Sequence, residues 1–133
     1  MIHEEICTYE VCKLAKEKGF PQHIGNDAYI VDNEYDDKYE VGCHYPIQFI
    51  PDYLPTIVAP TQSLLQRWLR EEKSMHIEII ATASGYYWCV NKTNGTSITD
   101  SDVLNRGANE GGCFDTYELA LEDALAYSLK NLV

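Results

Sequence analysis

Two adjoining β-type runs with a turn between them constrain this chain more than anything else in it. His76-Ile77-Glu78-Ile79-Ile80-Ala81 alternates, placing Ile77, Ile79 and Ala81 on one side. Tyr86-Tyr87-Trp88-Cys89-Val90 follows, and Ser84-Gly85 marks the reversal between them. The pair predicts a hairpin. In its second strand Tyr86, Trp88 and Val90 point one way, Tyr87 and Cys89 the other. Both sides are apolar, so each is expected to be at least half covered, by a helix, an extended arm or another subunit.

Three segments read as the helices such a sheet needs. The first runs from about Thr8 to Lys18. Thr8 is placed to cap it, Val11, Cys12, Leu14 and Ala15 form one apolar stripe, and Gly19 stands where helices commonly end. Phe20 is expected to fold back onto the last turn. The second follows Pro60, whose missing N–H costs nothing in a first turn, and carries Leu64, Leu65, Trp68 and Leu69 on one face. The third opens with Asp115 and Glu118 at capping-box spacing and Phe114 and Leu119 at staple positions. Tyr117, Leu121, Ala124, Leu125, Ser128 and Leu132 then trace its inner face.

The remaining segments are shorter or irregular. Ala28-Tyr29-Ile30-Val31 and Tyr39-Glu40-Val41 read as strands on either side of an acidic stretch, and Asn94-Gly95 marks a further reversal. Residues 44–59 mix Pro46, Pro51 and Pro55 with Ile47, Phe49, Ile50, Tyr53, Leu54, Ile57 and Val58. A stretch that apolar is no free linker; it is expected to wrap the core as an arm or to pack on a partner. Residues 99–113 form a polar, glycine-containing loop, in which Asp100 or Ser101 is placed to cap one helical turn ending at Gly107. The fold class is therefore α+β, with the order α-β-β-arm-α-β-β-loop-α. The sheet is antiparallel or mixed, with helices on at least one face. Its 133 residues suit a single domain spanning 1–133.

Charge narrows the partners. Twenty-one acids against ten bases give a net charge of −11. That balance disfavours nucleic acid, whose binding rests on neutralising phosphates, and disfavours anionic membrane surfaces. It suits solubility or a basic partner. No run approaches the ~20 apolar residues of a membrane span. Met1-Ile2-His3-Glu4-Glu5 lacks a signal peptide's basic and apolar regions, so a cytoplasmic location is expected. Cys7, Cys12, Cys43, Cys89 and Cys113 are odd in number and show no CxxC pair, as reduced thiols packed like small hydrophobes would. Asn91-Lys92-Thr93 and Asn94-Gly95-Thr96 match the glycosylation sequon, but in an unsecreted chain they read as a turn.

Three phrases carry a resemblance. They are Tyr9-Glu10-Val11-Cys12-Lys13-Leu14-Ala15-Lys16-Glu17-Lys18-Gly19-Phe20, the run Ala59-Pro60-Thr61-Gln62-Ser63-Leu64-Leu65-Gln66-Arg67-Trp68-Leu69-Arg70-Glu71, and Tyr117-Glu118-Leu119-Ala120-Leu121-Glu122-Asp123-Ala124-Leu125. Together they resemble small uncharacterised proteins of Bacteroidales phages, prophages and mobile elements. The resemblance implies an intracellular accessory protein and no particular activity, and the segment 21–58 departs most from it.

No reactive constellation stands out. Asp32-x-Glu34-x-Asp36 begins like a calcium loop, but Asp37 stands where glycine is required and Cys43 where a bidentate Glu is needed. Cys43, His44, His76 and Cys113 lack the paired spacing of a structural zinc site. Cys113 lies just before the third helix, where a thiolate gains from the helix end, but no base is identifiable. Gly107, Gly111 and Gly112 precede that helix without a phosphate-loop motif, amid Glu110, Asp115 and Glu118. No catalytic residue, metal ligand or cofactor is therefore assigned. Tyr29, Tyr35, Tyr39, Tyr45 and Tyr53 cluster in the divergent region, as in an interface or simply in a β-rich one. The expectation is a non-enzymatic protein-binding accessory protein, with a homodimer among its forms. Two rivals stand beside it: an acidic nucleic-acid mimic that blocks a basic host protein, and a thiol-dependent enzyme using Cys113.

Overall fold

The computed structural model describes residues 3–34 and 36–133. Met1, Ile2 and Tyr35, the last a member of the tyrosine cluster, lie outside the described residues. The protein is α+β, with two three-stranded antiparallel sheets. The chain divides into two units, Met1–Thr61 and Gln62–Val133.

The first unit opens with α1 (Tyr9–Glu17), capped by Thr8, whose hydroxyl accepts the Val11 N–H at 3.4 Å. Its end follows from Gly19: the Phe20 N–H reaches back to the Ala15 carbonyl at 2.9 Å and the Gly19 N–H to Lys16. Phe20 is thereby buried, as expected, beside Val11, Cys12 and Ala15. Three strands follow, β1 (Asp27–Ile30), β2 (His44–Pro46) and β3 (Thr56–Ala59), in the spatial order β2-β1-β3. Helix α1 packs on β3. The central strand buries Ala28, Tyr29 and Ile30, and the Tyr29 hydroxyl donates to the Cys7 carbonyl at 2.6 Å.

Two expectations are corrected in this unit. Tyr39–Val41 is not a strand; Val41 makes only an isolated parallel bridge to Ile30, and the partner strand is His44–Pro46. The reason lies at Asn33, whose side-chain amide donates to the backbone carbonyls of Asp36 and Tyr39 while its oxygen accepts the Asp36 N–H at 2.8 Å. That local bonding draws Asn33, Asp36 and Tyr39 together in place of a ladder. The supposed arm, in turn, supplies two strands. Its ends are β2 and β3, both sheet edges, and between them lie a 3-10 turn at Ile47–Phe49 and an irregular stretch to residue 55. Prolines fit there because Pro46 ends an edge strand and Pro51 and Pro55 lie outside the ladders.

The second unit begins with α2 (Gln62–Lys73), then β4 (Met75–Thr82), β5 (Gly85–Lys92), β6 (Ser97–Asp100) and α3 (Tyr117–Tyr127), with a π-type turn at Ser128–Leu132. The hairpin pairs Ile77 with Val90, Ile79 with Trp88 and Ala81 with Tyr86, which puts these six on one face. Helices α2 and α3 cover that face: Leu65, Leu69, Ala124, Leu125 and Leu129 are fully buried together with Trp88 and Val90. The Gln62 side chain ties the helices by donating to the Glu118 carbonyl at 2.9 Å, and Gln66 ties α2 to the sheet through the Ile77 carbonyl. On the opposite face Tyr87 and Cys89 are half-buried and Glu78 is exposed.

Strand β6 takes in Thr99 and Asp100, which the sequence reading places in a loop. It joins β5 through a register shift between Val90 and Asn91, an irregularity that blurs its alternation. At α3 the cap is Thr116, whose hydroxyl accepts the Leu119 N–H at 3.1 Å. Asp115, one residue before the cap, instead accepts from the Asn109 side chain at 2.9 Å. The one-residue shift leaves Leu119 half exposed instead of stapled, and Phe114 exchanges backbone hydrogen bonds with Tyr86 at 2.9 and 2.7 Å.

Candidate functional site

The second unit holds a cavity of about 400 Å³ beside Cys113, lined also by Thr82, Ser84, Tyr87, Asp100, Asp102, Glu110 and Gly111. The chain beside it is packed by close backbone approach. A side chain at Gly112 (φ +71°) would place its Cβ 2.3 Å from the Asp102 nitrogen, and one at Gly107 (φ +90°) 2.3 Å from the Cys113 carbonyl oxygen. These glycines thus serve packing between residues 101–113. Asp100 caps the turn by accepting the Val103 N–H at 2.7 Å. Arg106 ties the same segment to α3: its guanidinium makes two 2.6 Å hydrogen bonds to Asp123, which also accepts the Trp88 indole N–H at 2.9 Å. The bond to Asp123 holds the Arg106 guanidinium charged above its ordinary range.

Cys113 itself is buried, 3.3 Å from the Thr82 hydroxyl and 3.8 Å from the Gly111 carbonyl. The single histidine of this unit, His76, stands at the far end of β4 from Thr82 and pairs with Glu78 at 3.1 Å. Six residues of strand put it about 20 Å away. Within this unit the thiol therefore meets a hydroxyl and a carbonyl, neither of which is a base for thiolate formation at neutral pH. Cys89, on the open face, has its thiol pushed up by burial and by the nearby Glu78 and Asp100 carboxylates.

In the first unit, Cys43 and His44 go to different partners. The Cys43 thiol donates to Glu40 at 3.4 Å and is pushed up by that bond, while His44 Nδ1 lies 2.8 Å from Asp27. Among the described residues no three His, Cys, Asp or Glu side chains converge as metal ligands.

The other candidate is the irregular segment 47–55 of the same unit, together with the acidic loop that leans on it. Phe49 and Tyr53 are each 65% exposed, Val41 52% and Ile47 42%. Tyrosines fasten the loop to the segment. The Tyr39 hydroxyl donates to the Phe49 carbonyl at 2.7 Å, and the Tyr53 hydroxyl donates to Asp36 at 2.8 Å. Tyr45 accepts the Glu40 N–H at 3.3 Å and meets the Tyr39 ring edge-on at 5.4 Å. The bond to Asp36 pushes the Tyr53 phenol above its ordinary value. A cavity of about 250 Å³ and mixed lining opens beside Ile47, walled by Ala28, Ile50, Leu54 and Val58 together with the polar Lys16, Gln22, Asp52 and Thr56.

The sequence reading brings the tyrosines and the apolar run into view separately. It does not say that Tyr39 and Tyr53 join loop to arm, nor that Phe49 stays outside. The composition of 44–59 is the only signal, and it fits burial equally well.

The chain matches no protein-family model and has no significant match among curated proteins or solved structures. No helix among the described residues is long and apolar enough to cross a membrane.

Proposed function

We propose that this protein is a non-enzymatic binding module whose contact surface is the segment 41–53 of the first unit. One observation carries the reading: of the seven large apolar residues left exposed among the described residues, Val41, Ile47, Phe49 and Tyr53 fall within thirteen positions. Isolated exposed apolar side chains are ordinary, but several from one short segment, tied to the acidic loop by hydrogen-bonded tyrosines, are material for an interface core. Backbone and phenol hydrogen bonds fix this surface before any partner arrives, which reduces the ordering cost of binding.

The test compares capture from the native cells by the wild-type protein and by a Phe49→Ser, Tyr53→Ser double variant. The expected result is a specific partner retained by the first and lost by the second, with both variants equally folded by circular dichroism. Equal capture by the two proteins contradicts the reading, as does a partner lost only on Leu119→Ser in the second unit.

A further inference from the structure

Resting on that reading, we propose that the partner of the 41–53 surface is a basic protein segment, rich in Arg or Lys and carrying a bulky apolar side chain. Between residues 32 and 53 stand six acids, Asp32, Glu34, Asp36, Asp37, Glu40 and Asp52, against one base, Lys38. All but Asp36 of these acids are exposed. Two of them adjoin the apolar residues directly: the Asp36 carboxylate accepts the Tyr53 hydroxyl, and Asp52 lines the cavity beside Ile47, while the Glu40 backbone N–H bonds the Tyr45 hydroxyl. Lys38, the single base, lies over the Tyr39 ring at 5.8 Å.

An apolar centre rimmed by carboxylates selects for the opposite rim on its partner. Exposed aromatic faces at Phe49 and Tyr53 add to this, since guanidinium and ammonium groups stack on such rings while pairing with carboxylates beside them. The cavity beside Ile47 accepts the apolar anchor. Its volume of about 250 Å³ exceeds the ~150 Å³ void that holds a benzene molecule in an engineered protein core. Asp52, which lines the cavity together with Lys16, offers a carboxylate to a neighbouring cation.

The same charges decide against other occupants. A two-fold contact between copies would set six acids against six acids, a repulsive arrangement. Phosphate backbones and anionic lipid surfaces are repelled likewise.

Fluorescence anisotropy with three synthetic peptides tests this: one alternating Lys and Arg with Leu, one with Glu in place of the bases, and one with Gly in place of Leu. The Lys/Arg–Leu peptide is expected to bind, and the other two to bind at least about tenfold more weakly. Glu34→Gln, Asp37→Asn and Asp52→Asn together should weaken it by about tenfold and flatten its salt dependence. A Glu71→Gln, Glu72→Gln control on α2 should leave it unchanged. Equal binding of the Glu–Leu peptide, or equal loss in the α2 control, overturns the basic-partner inference. Should the peptides fail in either way while capture from cells still depends on Phe49 and Tyr53, the partner's charge is refuted and the interface stands.

Discussion

Trp88 and Phe49 are both aromatic residues in apolar runs, yet the molecule treats them in opposite ways. Trp88 is fully buried under α3, with its indole N–H bonded to Asp123 and its ring 5.5 Å from that of Tyr127. Phe49 contributes its backbone carbonyl to Tyr39 while its ring stands 65% exposed. The difference is one of periodicity. A strand of alternating residues between two ladders hands every second side chain to a helix layer, whereas the proline-interrupted segment has no such period: it buries Leu54 but leaves Phe49 and Tyr53 in solvent. Regular structure in the second unit thus serves stability; the proposed function assigns recognition to the irregular structure of the first.

The largest expected effect breaks that contrast if it fails. Trp88→Ala should cost ~3–5 kcal/mol by urea denaturation, because it opens a cavity and strips Asp123 of a donor. Phe49→Ala should stay within about 0.5 kcal/mol, as exposed sites do. Comparable losses at the two positions would mean that the arm is core.

Gly112→Ala comes next. The added methyl meets backbone at 2.3 Å in a left-handed conformation, so a loss of ~1–3 kcal/mol is expected. An unchanged melting temperature would show that residues 101–113 are not packed as described. Asp123→Asn should cost about 1 kcal/mol, a modest figure because Arg106 is 38% exposed and water replaces part of the lost pairing.

How much of this was legible differs between the two regions for the same reason. Helices α1 and α2 and the hairpin β4–β5 show in the sequence because apolar period, cap and turn residues agree. Strand β6 does not show, since a bulge breaks its alternation after Val90. Strand β2 hides in a proline-rich run, and Tyr39–Val41 has the composition of a strand but is held off by the Asn33 side chain. The α3 cap is misplaced by one residue: Asp115 and Thr116 both suit a cap, Thr116 takes it, and Asp115 bonds Asn109 six residues before it. As for the candidate site, the tyrosine cluster and the acidic loop are visible as composition. Their joining through Tyr39–Phe49 and Tyr53–Asp36 is a tertiary fact with no local signal.

Smaller effects sharpen the comparison. Iodoacetamide at neutral pH should modify the buried Cys113 far more slowly than a free thiol; reaction faster than a free thiol would revive thiol chemistry at that cavity. The Tyr53 phenol, raised by its bond to Asp36, is held protonated by the fold. Its stabilising contribution is complete below about pH 10 and is lost as pH rises through the elevated value. Asp36→Asn should lower the pH at which Tyr53 ionises, read from phenolate absorbance against a Tyr53→Phe reference. No change would mean that this bond does not hold the loop to the arm.

The most direct measurement is site-specific photo-crosslinking in the native cells, with a photoactivatable phenylalanine analogue at position 49 or at position 119. Both sites are exposed and apolar, one on the arm and one on α3. An adduct at 49 alone, joined to a basic stretch of another polypeptide, is the predicted result. Adducts of equal yield at both positions, or none at 49, would contradict the claim that the arm is where this protein meets its partner.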